Sequence, residues 1–284
     1  MKSIFTLLLV TLFSVFSFAE VSVLEKEALI QFYKSTNGEN WTIKWNLSQP
    51  IDTWKGVTLL NDKVVAINLL DNNLSGTLPS EISNLEFLKT LNLFKNNISG
   101  SIPASIGNLK SLEVLNISFN KLSGNIPSEI SNATSLNTIE LYMNMITGEL
   151  PNSIGNLSSL KILSLYNNLI SGEIPVSLYT LNSLQVLQLN SNKLSGKLNP
   201  SIANLSSLES LSLFDNNFKG QVPFSLEKLN NLKEMNISYN NFDGLVSKKL
   251  AKKDILNMTM INEFGVATTL KVELEKNSAI ASEE

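Results

Sequence analysis

Apolar residues recur along most of this chain with a period of 24. The stretch that begins at Leu88, LKTLNLFKNNISGSIPASIGNL, is respelled from Leu112, Leu136, Leu160, Leu184 and Leu208, and one further step each way lands on Val64 and Leu232. The result is eight units with no insertion. Positions 1, 4, 6, 11, 15, 19 and 22 of each unit form apolar columns, and across all eight units only Lys253 departs from them. Two other columns are as regular. The ninth position is always Asn (Asn72, Asn96, Asn120, Asn144, Asn168, Asn192, Asn216 and Asn240), and the thirteenth is always Gly, from Gly76 to Gly244. A unit this small cannot bury seven apolar positions against itself, so the units must stack and cover one another.

Positions 3 to 7 alternate, as in Thr90-Leu91-Asn92-Leu93-Phe94. This predicts a short strand with 91 and 93 turned inward and 90, 92 and 94 outward. Stacking pairs these strands into one parallel sheet, roughly 34 Å across at the usual ~4.8 Å spacing. The Asn at position 9 stands where the chain leaves the strand, and its amide can satisfy backbone groups that the bend leaves unpaired. Gly at 13 suits a backbone geometry or close approach that a side chain would obstruct. Pro at 16 (Pro79, Pro103, Pro127, Pro151, Pro175, Pro223) fixes φ ahead of an outer segment suited to a 3-10 turn. Unit six reads Gly196-Lys197-Leu198-Asn199-Pro200, with its Pro displaced by one residue, which predicts an irregular outer turn there.

The ends of the chain follow other patterns. Residues 1–19 carry Lys2, an apolar run from Ile4 to Phe16, and Ser17-Phe18-Ala19, which together read as a secretory signal cleaved after Ala19. The alternative is a retained anchor, but the run is shorter than the ~20 residues a spanning helix needs. No later segment is apolar enough to cross a bilayer. Residues 20–63 form an N-terminal cap holding Trp41, Trp45 and Trp54, all three tryptophans of the chain. The eight units fill 64–255. The last is degenerate: it lacks Pro, and Lys248, Lys249, Lys252 and Lys253 surround Leu250, charges that mark where stacking stops. Residues 256–284 form a C-terminal cap and tail. There Leu270, Val272 and Leu274 alternate with Lys271, Glu273 and Glu275, a strand-like pattern able to pair with the last coil, and the polar stretch from Ala279 to Glu284 is expected to fray.

The phrase LxxLxLxxNxLSGxIPxxIxNL resembles the plant-type leucine-rich repeat, and the likeness covers Val64 to about Val246. It implies a right-handed α/β solenoid, a horseshoe whose concave wall is the parallel sheet, with a short second sheet from the SGxIP portion and 3-10 turns on the convex side. The segment before it is similar to the family's N-terminal cap: Glu27-Ala28-Leu29 through Phe32-Tyr33, then Trp41, Trp45 and Trp54-Lys55-Gly56-Val57. Plant members usually staple that cap with a Cys pair. This chain has no Cys, so aromatic packing is expected in the staple's place. With STNGENW, the cap looks more like leucine-rich repeat proteins of bacterial surfaces than like plant receptors. The resemblance implies non-catalytic protein or peptide recognition, as in receptor-kinase ectodomains and polygalacturonase-inhibiting proteins.

Composition narrows the chemistry. The 284 residues contain neither His nor Cys, which excludes Ser-His-Asp and Cys-His nucleophiles, zinc sites on imidazole or thiolate, iron–sulfur clusters and disulfides. A formal net charge of -3 gives no footprint for nucleic acid or an anionic membrane. Asp71-Asn72-Asn73 and Asp215-Asn216-Asn217 offer oxygen ligands, but calcium takes six or more, usually with several carboxylates, and the Asn column already accounts for 72 and 216. Glu140 is the sole acid among the outward residues at position 5, and Asp71 and Asp215 lie six coils apart, so a glycosidase-type acid pair has little support. Neither enzyme activity, cofactor nor metal is expected.

Recognition suits the outward positions better, because the fold leaves them free to vary. Position 7 reads Leu70, Phe94, Ser118, Tyr142, Tyr166, Asn190, Phe214, Ser238, and position 8 adds Lys95, Phe119 and Tyr239 among others. Rings exposed on a rigid sheet serve a partner well. The candidate partner-binding set is Phe94, Lys95, Phe119, Glu140, Tyr142, Tyr166, Phe214 and Tyr239, with Tyr142 and Tyr166 about one strand spacing apart. These rings either meet a ligand or pack against each other and the strand margin. The expected ligand is a protein or peptide. The alternatives are a glycan stacking on Tyr142, Tyr166 and Phe214, or a purely structural or adhesive role. Ten Asn-x-Ser/Thr sequons arise mostly from the repeat spelling, and on a eukaryotic route Asn116 and Asn236 would place sugar on this face. The chain is expected to act as a monomer outside the cytoplasm, secreted or at the cell surface.

Overall fold

The computed structural model describes residues 21–254, 258–262 and 265–272. The expected signal at 1–19, Glu273 to Glu275, the polar tail and the sequon at Asn257 lie outside the described residues. The main sheet has nine strands in chain order: Val57–Leu60, Lys63–Asn68, Thr90–Asn92, Val114–Asn116, Thr138–Glu140, Ile162–Ser164, Val186–Gln188, Ser210–Ser212 and Glu234–Asn236. From the second strand on, all pairings are parallel and offset by 24 residues, as in Ile162↔Val186 and Ser210↔Glu234. From Thr90–Asn92 onward the strands are three residues long, shorter than the five alternating positions, yet backbone bonds continue past them: Leu93 N–H donates to Asn116 O (2.8 Å) and Lys95 N–H to Ser118 O (2.9 Å).

The core follows the apolar columns closely. Every residue in the seven columns is buried except Lys253, which is half-buried and donates its Nζ to the Leu232 carbonyl. Because each side chain packs between its equivalents one coil away, the core runs the length of the stack.

The Asn column joins the coils. Asn144 Oδ1 accepts from Leu122 N–H in the preceding coil (2.9 Å), while its Nδ2 donates to Ile117 O (3.0 Å) and Leu141 O (3.0 Å). The pattern repeats at Asn120, Asn168, Asn192, Asn216 and Asn240. Asn72 applies the same chemistry to the cap, accepting from Ile43 N–H (2.7 Å) and donating to Ile43 O (3.1 Å). The residue just before each Asn is left-handed in every unit, with φ between 49 and 57° at Asp71, Lys95, Phe119, Met143, Asn167, Ser191, Asp215 and Tyr239. Position 8 is therefore the corner residue, at which the chain turns out of the strand. Gly76, at φ 90°, also passes so close to the cap helix that a Cβ would lie 2.2 Å from the Ser35 carbonyl oxygen.

A second layer of short strands follows each corner in two four-stranded sheets, divided between Met145–Ile146 and Ser171–Gly172. Backbone bonds still cross that division, with Leu169 N–H donating to Ile146 O (2.8 Å). Seven five-residue 3-10 turns line the convex side, from Ser80–Asn84 to Phe224–Lys228. The expectation of an irregular turn in unit six is corrected here. Pro200–Asn204 is a regular 3-10 turn of the same length as the others. Asn199 takes proline's extended backbone (φ -73°, ψ 136°) and caps the turn by accepting from Ser201 N–H (2.8 Å), while Pro200 sits at the first helical position, where no N–H is required. Asn199 also offers what proline lacks: its backbone hydrogen-bonds the hydroxyl of fully buried Tyr179.

Both ends are covered. The cap helix Val23–Ser35 packs Ala28, Leu29, Phe32 and Tyr33 inward. Trp45 stacks on Trp54 (4.9 Å, 20°) and meets Trp41 edge-on (4.9 Å, 79°), and each indole N–H finds a backbone carbonyl. Buried Glu25 ties the helix to the first coil by accepting from Val64 N–H (3.0 Å) beside Lys63 (3.6 Å). At the far end buried Asp254 occupies the place of a ninth coil: its carboxylate accepts from Ile237 N–H (2.8 Å), Ser238 Oγ (3.1 Å) and Met258 N–H (3.0 Å). Lys271–Val272 pair in parallel with Leu245–Val246 of the last coil.

Candidate functional site

The outward face of the main sheet is ordered by position along each coil. Position 5 forms a polar rung: Asn92 Nδ2 donates to Asn68 Oδ1 (3.2 Å), Asn116 Nδ2 to Glu140 Oε2 (2.8 Å) and Ser164 Oγ to Gln188 Oε1 (2.9 Å). Two residues on, the aromatic residues gather. Phe94 meets Phe119 edge-on (5.3 Å between centroids), Phe119 meets Tyr142 edge-on (5.7 Å), and Tyr142 stacks on Tyr166 (4.4 Å, 8°). Phe94 also reaches Tyr142 across a whole coil (6.4 Å).

That reach is possible because the coil between them carries Ser118 at position 7 and moves its ring, Phe119, to the corner at position 8. Ser118 is fully buried beneath the rings, and its hydroxyl makes no hydrogen bond of good geometry, although Tyr142's hydroxyl lies near enough to be influenced by it. The last coil repeats the device with Ser238 and Tyr239, where Phe214 and Tyr239 meet at 5.1 Å. There Ser238's hydroxyl is satisfied by Asp254.

The predicted residues thus fall into two groups. Phe94, Phe119, Tyr142 and Tyr166 form one connected array with Glu140 alongside, and Phe214 with Tyr239 forms a second, smaller one. Lys95 stands at the array's margin, engaged by Asp71 (2.9 Å). Phe119 and Tyr239 are exposed at 40% and 43%, and the remaining rings are half-buried. Of the residues offered above as oxygen ligands, Asp71 pairs with Lys95, Asn72 accepts from Ile43 N–H, Asn73 Nδ2 donates to the Asn40 carbonyl (2.9 Å), and Asn216 accepts from Leu194 N–H (2.9 Å). Met143, Met145 and Leu169, all exposed, extend the apolar surface over the rim in coils four and five. Met145 and Leu169 occupy position 10, which is Asn or Lys in every other unit, and that substitution was the available signal.

Burial sets the electrostatics. It pushes the Glu140 carboxyl above its ordinary range. The Tyr142 hydroxyl is raised by burial first and Glu140's charge second, against hydroxyl contacts with Ser118 and Tyr166 that lower it. Tyr166 is raised by burial, then by Tyr142 and Glu140.

A family model described as a leucine-rich repeat region matches residues 140–281, and one described as a leucine-rich repeat matches 63–85, 87–109 and 111–133. Among curated proteins, a probable leucine-rich repeat receptor-like protein kinase of Arabidopsis thaliana is 51% identical over 49 residues, 16% of this chain and 5% of that protein. Among solved structures, the plant peptide hormone receptor RGFR1 in complex with RGF2 is 33% identical at a TM-score of 0.64, covering 73% of this chain and 32% of that one. The PEPR1–AtPEP1 structure is 28% identical at 0.72, covering 88% and 42%. The chain therefore spans well under two thirds of each of these proteins. Among the described residues no helix is long and apolar enough to cross a membrane.

Proposed function

Because the chain belongs to the leucine-rich repeat family, we propose that it is an exported, non-catalytic recognition protein whose concave face binds a protein or peptide. The observation that carries this is the connected array Phe94–Phe119–Tyr142–Tyr166, set on strands that neighbouring coils hold rigid. An apolar surface of this kind is what interface cores use, and rigid rings lose little conformational freedom on binding. One of the similar structures is described as a plant peptide hormone receptor in complex with RGF2, which supports the same reading.

A glycan ligand is less favoured by the geometry. Tyr142 and Tyr166 are stacked on one another at 4.4 Å and near-parallel, so each covers a face that a sugar ring would need. Catalysis is less favoured too, since Glu140 has an amide, not a second carboxylate, as its hydrogen-bonding neighbour.

The test is capture of partners from the native surroundings by the unmodified protein and by a Phe119→Ala/Tyr142→Ala variant whose circular dichroism is unchanged. A protein or peptide retained by the first and lost by the second is expected. Equal retention by both, or recognition of glycans alone on an array, would overturn the proposal.

A further inference from the structure

Three lysine–carboxylate pairs mark the concave face: Lys95 with Asp71 (2.9 Å), Lys89 with Glu113 (3.0 Å) and Lys233 with Glu209 (2.5 Å). Glu140, at the centre, belongs to none of them. Among the described residues no cation lies within ion-pair distance of it, and Lys161, at the entry edge of the next coil, leaves it unpaired. Its one side-chain hydrogen bond comes from the neutral amide of Asn116 (2.8 Å), whereas an ionised carboxylate accepts about four. It is half-buried, two residues before Tyr142 on the same strand face, and its charge is felt by both stacked tyrosines.

Resting on the concave-face reading above, we infer that the partner is an extended peptide segment that presents a guanidinium or ammonium group to Glu140, with flanking side chains on the rings of Phe119, Tyr142 and Tyr166. A carboxylate already stripped of part of its hydration gains most from a cation that supplies several donors in one plane, which is the geometry of arginine. The rings add the attraction of their electron-rich faces and edges for the same cation and exclude water around the pair. In the free protein the charge is a liability, because burial works against it. Glu140→Gln is therefore expected to fold normally while retaining a hydrogen bond with Asn116.

The experiment uses three immobilised libraries of random octapeptides whose fixed central residue is arginine, its neutral isostere citrulline, or glutamate. The protein is expected to retain at least tenfold more of the arginine library than of the citrulline library and least of the glutamate one, and Glu140→Gln is expected to abolish the arginine preference. Binding without preference for arginine over citrulline, a comparison that needs no variant, would overturn the inference while leaving peptide recognition standing. So would an arginine preference that survives Glu140→Gln. Absence of binding to all three libraries would instead remove the peptide reading itself, and this inference with it.

Discussion

At the scale of single residues, the Asn column and the corner before it decide the backbone. Asn144 joins two coils through three hydrogen bonds of 2.9 to 3.0 Å, so Asn144→Ala should leave buried backbone groups unpaired and cost about 1–3 kcal/mol. A denaturant midpoint measured against the parent checks this, and an unchanged midpoint would contradict the assignment. The role of these Asn residues was legible in the sequence because one residue type recurring at one position has few physical explanations. The corner at position 8 was not. Only Asn167 and the Asp residues there are types that favour left-handed backbone, while Lys95, Phe119, Met143 and Tyr239 are not, and each of these costs about 1–2 kcal/mol that the surrounding ladder must offset. The consequence for the site is direct, since Phe119 and Tyr239 sit on the corner and project where a strand residue would not.

At the scale of elements, the convex turns show how one position can be solved in two ways. Proline at position 16 fixes the entry to most turns, and unit six reaches the same backbone with Asn199 capping a turn that starts at Pro200. Asn199→Ala should remove the cap and cost about 1 kcal/mol, read as a shift in denaturant midpoint, with the turn itself retained. The sequence pointed to the right unit but the wrong outcome, because a displaced proline reads as disruption until the cap and the buried Tyr179 hydroxyl beside it are seen. The cap segment was legible through its three tryptophans. Glu25 and Asp254, the buried acids that close the two ends of the stack, were not, because surface helices and loops are full of carboxylates and no local pattern separates these two.

At the scale of the whole molecule, the coils share one continuous core, and the aromatic array draws its rigidity from it. Tyrosine burial makes that stability sensitive to alkali. Tyr142, Tyr166 and Tyr179 are all raised above 10.0, chiefly by burial, so their neutral forms favour the folded state. Their contribution is complete below pH 10 and is lost as pH rises through the folded values. The protein should therefore lose stability above about pH 10. Urea midpoints at pH 9 and pH 11 should differ less in a Tyr142→Phe/Tyr166→Phe/Tyr179→Phe variant than in the parent, and an equal difference would contradict the assignment. The repeat architecture was legible almost entirely from period and columns. The gap between the two ring arrays falls at unit six, where positions 7 and 8 are Asn190 and Ser191, but the contact of Phe94 with Tyr142 across the Ser118 coil was not legible, since it depends on how the rings lean.

The central claim is that the outward face of the main sheet, not the convex turns, meets the partner. Placing a photo-crosslinking phenylalanine analogue at Phe119, and separately at the exposed convex residue Asn156, tests it most directly in the protein's native surroundings. A covalent adduct with a protein or peptide from position 119 and none from position 156 is the predicted result. An adduct from 156 alone, or equal yields from both, would contradict it.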